Sequence, residues 1–199
     1  MANDIRPQLL QKMAGQLDMQ FFPEEEWGIL PLLKDFKLFR YGSGRRITNV
    51  MHKQDAWLET DARIFDYKYT IHAGNSHKTY RQTVFFVQSK RLALPQFWMK
   101  PEHFFLKVGQ WLGFEDIDFE EHPEFSDQYH LKGNDEDYIR ATMNDDVLRF
   151  FTIEKDWHLE GINYYMVLYK PDHIMSAKEI EQLYHKGLKL CKLLEAEEI

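Results

Sequence analysis

The chain has 199 residues, 44% of them hydrophobic and 29% charged, and a formal net charge of −7 at pH 7. That length and apolar content suit one domain with a sizeable core and exclude a disordered chain. The acidic balance, with an isoelectric point of about 5.7, weighs against nucleic acid or an anionic membrane as the main partner.

No stretch approaches the roughly 18 apolar residues of a spanning helix. The opening residues MANDIRPQLLQKMAGQLDMQ lack the basic region and apolar core of a secretory signal. Cys191, the single cysteine, leaves no intrachain disulfide and no multi-cysteine metal centre. Lying in a helical pattern, it reads as a packed apolar thiol. These features together predict a cytoplasmic chain with no membrane span.

In chain order, residues 1–35 read as a helical preface. Ile5, Leu9, Met13 and Leu17 recur every four residues, with Asn3 or Asp4 as a cap. Pro23-Glu24-Glu25-Glu26 then has the form of a second helix's first turn, and Pro31 keeps that helix short. From Phe36 the period becomes extended. Gly42-Ser43-Gly44 predicts a turn, and Arg45 to Met51 resumes a strand pattern.

The run WLETDARIFDYKYTIHAG changes phase in its middle. Leu58, Thr60, Ala62 and Ile64 share one side, whereas Phe65, Tyr67, Tyr69 and Ile71 share the other. A bulge at Ile64–Phe65 would reconcile the halves, as would a strand that passes between two packing environments. Ala73-Gly74-Asn75-Ser76 is a turn signal, and TYRQTVFFVQ returns as a second strand. This pair predicts a long antiparallel hairpin, with Asp66 or Tyr67 opposite Arg81 or Gln82.

Downstream, Pro101 opens a helical pattern over 101–112, with Phe104, Phe105, Val108, Trp111 and Leu112 on one face. Residues 116–121 read as extended or irregular, Pro123 starts a compact turn or a single helical turn, and Tyr129 and Leu131 suggest a brief strand. Asp135 caps a short helix through Met143, and Asp145 or Asp146 another through Phe151. Trp157 to Tyr169 is strongly β-prone, with Gly161 as a turn or bulge. Ser176-Ala177-Lys178-Glu179 forms a capping box for a final helix, whose apolar face runs from Ile180 to Leu194. The predicted fold is one α+β domain over 1–199. Its antiparallel sheet is strongly bent or partly barrel-like and packs on helices that include the C-terminal one.

The common catalytic signatures are missing: there is no phosphate loop, no GxGxxG, no GxSxG and no HExxH. His103, His122 and His130 lack the local spacing of a zinc site, and the acidic runs at 116–121 and 135–137 do not follow a calcium loop. No metal or cofactor is implied. The polar groups set among the aromatics of the hairpin carry more chemistry. Asp66, His77, Arg81 and Gln82 are ligand-binding candidates, joined by His122 and Glu124 from the acidic segment. Arg45 and Arg46, beside Gly42-Ser43-Gly44, are candidates for holding an anion.

The blocks FDYKYT, YRQTVFFVQ, LPQFWMKPE, IDFEEHPEFSDQYHLKGNDEDYIR and WHLEGINYYMVLY occur in this order between Asp61 and Tyr169. In this respect the chain resembles an uncharacterised family of bacterial proteins. The resemblance implies one continuous α+β module and assigns no catalytic residue. Some such proteins carry membrane helices, which this chain lacks.

Three functions fit these observations. The leading one is a non-enzymatic protein-binding or structural module, acting through protein contacts that include self-association. The second is a hydrolase-type enzyme with a site between the 66–82 hairpin and the 116–130 segment. The third is a binder of small anionic ligands using Arg45, Arg46 or Arg81.

Overall fold

The computed structural model describes residues 5–25, 28–56, 59–103 and 115–196. Among these, eight antiparallel strands form one open sheet in the order β1-β2-β3-β4-β8-β7-β5-β6. The strands are β1 (Gln20–Glu24), β2 (Ser43–Asp55), β3 (Thr60–Ala73), β4 (Ser76–Ser89), β5 (Leu94–Pro101), β6 (Tyr129–Gly133), β7 (His158–Asn163) and β8 (Tyr165–Tyr169). Strands β1 and β6 are its two edges, so the sheet does not close into a barrel. The helices are α1 (Ile5–Gln16), α2 (Ile29–Leu33), α3 (Pro123–Ser126), α4 (Glu136–Thr142), α5 (Asp145–Ile153) and α6 (Ala177–Leu193). The α+β architecture with a C-terminal helix is as the sequence predicts.

The phase change in β3 has a clear structural origin. Pairing of β3 with β4 is continuous from Thr60↔Ser89 to Ala73↔Ser76, so no bulge interrupts Ile64–Phe65. Instead, the two faces of the sheet are covered at opposite ends. Ala62, Ile64, Phe85 and Val87 pack into a core with α1, α4, α5 and α6. Phe65, Tyr67, Tyr69, Tyr80, Val84 and Phe86 pack on the reverse face against Ile29, Leu33, Phe36, Leu38 and Phe39. Because alternate side chains of a strand point to opposite faces, moving the cover shifts the apolar phase without shifting the strand. The register shifts against β3 lie in β2, between Ser43 and Arg46 and between Thr48 and Met51, and a further one lies in β5 against β7, between Leu94 and Phe97.

Helix α1 buries Leu10, Met13 and Ala14, while Ile5 and Leu9 stand 62% and 53% exposed. The inward position assigned from sequence to Ile5 is taken by Arg6, whose guanidinium reaches Asp66. The preface is not wholly helical. Phe21 and Phe22 lie in edge strand β1, where Pro23 is tolerated because an edge residue need not donate to a neighbour. Glu24 ends that strand, and α2 starts later, at Ile29. Lys37–Phe39 forms a 3-10 turn held by Glu160, whose side chain accepts from the backbone N–H groups of Lys37 and Leu38.

Pro101 ends β5, and residues 104–112 of the expected 101–112 helix lie outside the described residues, as do Asn3, Asp4, Trp27 and Trp57. Gly161 is not the hairpin turn, but it borders a register shift against β5, between Leu94 and Phe97. It lies inside β7, and the β7–β8 hairpin turns at Asn163–Tyr164. In α6 the capping box is present, and Ile180, Leu183, Tyr184, Gly187, Leu190 and Cys191 are buried. Gly187 sits against the Phe85 ring, where a Cβ would come within 2.5 Å of it. This contact brings α6 close to β4. Burial pushes the Cys191 thiol up to about 12, as expected of a packed, unreactive cysteine.

Candidate functional site

The site begins where the helical cover of β3 and β4 ends. Asp66 is 7% exposed and stands opposite Thr83. Its oxygens accept from Arg6 at 2.6 and 2.7 Å, from Asn49 at 2.9 Å and from the Thr83 hydroxyl at 2.9 Å. Arg6 also donates to the Met175 carbonyl, and the Met175 N–H donates to Thr83. Five segments are thereby tied at one layer: α1, β2, β3, β4 and the lead into α6. The carboxylate is consumed by these bonds, so Asp66 is a structural anchor.

One layer further along, the same face of the sheet changes character. Arg46 pairs with Lys68, and Lys68 pairs with Arg81, in direct cross-strand register over β2, β3 and β4. Paired residues share a face, so three cations stand side by side on the face that α1 and α6 leave uncovered. Arg46 and Arg81 are exposed and Lys68 is partly so. Arg46 forms an exposed ion pair with Glu24 at 2.7 Å. Among the described residues, neither the Lys68 ammonium nor the Arg81 guanidinium has a carboxylate partner. Beyond them on this face lie Thr70 and Thr79, 2.9 Å apart, and then the opposed pair His72 and His77.

The diagonally opposite uncovered quadrant provides a contrast. There His52 and Arg63 lie 3.1 and 3.0 Å from Asp61, so its charges are matched within the protein. In the distal quadrant, by contrast, Arg46 is paired with Glu24, and among the described residues Lys68 and Arg81 stand side by side with no carboxylate on either side chain. Like charges placed directly opposite on neighbouring strands are unfavourable, and a bound anion would relieve that cost.

The other sequence candidates do not gather here. Gln82 is fully buried on the reverse face opposite Tyr67, and its side-chain oxygen accepts from the Asp172 backbone. Arg45 donates to the Phe39 carbonyl at 2.6 Å and so braces the 3-10 turn. His77 is exposed at the hairpin tip. His122 and Glu124 belong to the far edge of the sheet, beside β6. His122 lies 3.0 Å from Asp145, and His122 and Glu124 line a hollow of about 380 Å³ with the 77%-exposed Ile153. Four strand spacings, about 19 Å, separate β4 from β6. Asp66, His77 and Arg81 therefore do not converge with His122 or Glu124.

The register of the hairpin was partly legible. Tyr67 opposite Gln82 is one of the expected pairings, and it places Lys68 opposite Arg81. Lys68 was still missed, because a lysine in a strand carries no signal until its neighbours are known. Arg46 joins the row through the β2 register shift, which no spacing rule reveals.

A separate groove of about 450 Å³ lies between Pro101, Trp157, Met175 and Leu183. Most of its rim charges are matched: His103 with Asp156 at 3.4 Å, His173 with Glu179 at 2.9 Å and Lys186 with Glu154 at 2.5 Å. Lys170 sits over the Trp157 ring at 4.8 Å. Hydrogen bonds from Ser176, then the His173 contact, pull the Glu179 carboxyl down to about 2. Among the described residues there is no group of three or more His, Cys, Asp or Glu side chains able to hold a metal. No helix there is long and apolar enough to cross a membrane.

No family model and no curated protein matches this chain. Among solved structures, it is similar to the mycobacterial trehalose monomycolate transport factor A, at 13% sequence identity and a TM-score of 0.63. The likeness covers 98% of this chain and 100% of the other. At that identity the two proteins share a fold, and the fold extends over essentially the whole of both.

Proposed function

We propose that this protein is a non-catalytic binding module that takes an acidic segment of a partner protein on the uncovered face of β2, β3 and β4. The observation that carries this reading is the cross-strand row Arg46–Lys68–Arg81, two of whose members lack a carboxylate partner among the described residues. Three strands span about 10 Å. That width fits two or three carboxylates of a peptide and is narrow for a nucleic-acid duplex or a lipid surface. The structural neighbour is described as a transport factor, a description that names no catalysis. The hydrolase reading needs acid, base and cation in one concavity, and its candidate residues lie on different faces and edges.

Isothermal titration with an octaglutamate peptide tests the reading. Saturable, salt-sensitive binding that falls about tenfold or more in Lys68→Ala and Arg81→Ala is expected, with Lys90→Ala unchanged. Equal binding by all four proteins, or tighter binding to duplex DNA or phosphatidylserine vesicles than to the peptide, would remove it.

A further inference from the structure

The tip of the β3–β4 ribbon carries a second arrangement, separate from the cation row. Ala73 and Ser76 flank a two-residue turn at Gly74-Asn75, with Gly74 at φ 58° and Asn75 outside the positive-φ residues. Glycine in the first central position is the chemistry of a type II′ hairpin turn, which fixes register tightly. The pair next to such a turn exchanges backbone hydrogen bonds, so the following pair, His72 and His77, is of the non-hydrogen-bonded kind. In that kind of pair the side chains stand closest. Their ring centroids are 5.9 Å apart, with the planes inclined by 35°. Both side chains are exposed.

We infer that His72 and His77 form a two-histidine site for a divalent metal of the imidazole-binding class: copper(II), nickel(II) or zinc(II). A metal held about 2 Å from one nitrogen of each ring brings the centroids to about 5 Å. A small side-chain rotation on an exposed ribbon closes the remaining distance. Two protein ligands leave the other coordination positions to water or to a donor from a bound partner. Copper(II) heads the affinity order for such nitrogen sites. Repulsion from the cation row does not prevent occupancy. Lys68 lies four residues from His72, about 13 Å along the strand, which exceeds the screening length at physiological salt. A bound metal would extend the positive charge of this face towards the hairpin tip, but its binding does not depend on the peptide reading.

Calorimetric titration of the full chain with copper(II), paired with electron paramagnetic resonance, tests the site. One ion bound through two imidazole nitrogens is expected. His72→Ala and His77→Ala should each weaken it by about 100-fold, the low end of the gain from linking two ligands. His103→Ala, an exposed histidine elsewhere, should leave it unchanged. Lys68→Ala/Arg81→Ala should retain copper binding, which separates failure of this site from failure of the peptide site. Wild-type copper affinity in either hairpin variant would overturn the inference.

Discussion

Asp66 and Lys68 are two residues apart on one face of β3, yet their surroundings give them opposite roles. Asp66 is buried, with Arg6, Asn49 and Thr83 satisfying its oxygens. Removing one partner of a buried ion pair leaves the other charge uncompensated, which is costlier than the pair is worth. Asp66→Ala should therefore destabilise the fold by about 3 kcal/mol in urea unfolding, whereas Lys68→Ala should change it by less than about 0.5 kcal/mol. A loss below about 1 kcal/mol for Asp66→Ala would show that the network contributes little. The sequence marks Asp66 as a polar residue among aromatics, but not as an anchor. Its main partner lies 60 positions away, in a helix whose apolar spacing points to Ile5 as the inward residue.

Elements defined by local chemistry were the most legible. The capping box at Ser176, the buried face of α6 and the β3–β4 hairpin are set by residues a few positions apart, and the structure contains all three. Edge strand β1, the 3-10 turn and the register shifts of β2 depend on distant partners and were not visible. The same capping box makes α6 sensitive to acid. Glu179 has its carboxyl held at about 2, below the ordinary carboxylate range, by Ser176 first and His173 next. A depressed carboxylate adds stability above its unfolded pKa, and that stability is lost as pH falls from about 4.5 through about 2. Glu179→Gln can still accept the cap hydrogen bonds and so isolates the charge. It should melt about 2 °C lower than the wild type at neutral pH, with the deficit shrinking as pH drops from about 5 to about 3. A constant deficit across that range would mean that the charge on Glu179 does not matter to α6.

At the scale of the whole molecule, the sheet is covered on one face at one end and on the other face at the other, and this decides where function can reside. The covered quadrants hold the two apolar cores. One uncovered quadrant neutralises its own charges through Asp61, while the other leaves Lys68 and Arg81 without a carboxylate partner among the described residues. If that row served folding alone, a carboxylate should be welcome in its middle. Lys68→Glu places one between Arg46 and Arg81, replacing two repulsive cross-strand pairs with attractive ones, each worth a few tenths of a kcal/mol. The variant should therefore gain about 0.5 kcal/mol in stability while losing octaglutamate binding. Opposite movement of these two quantities is the signature of a face kept positive at some cost to the fold. If stability and binding fell together, the lysine would be part of the scaffold. If binding survived charge reversal, the anionic partner would have to dock elsewhere.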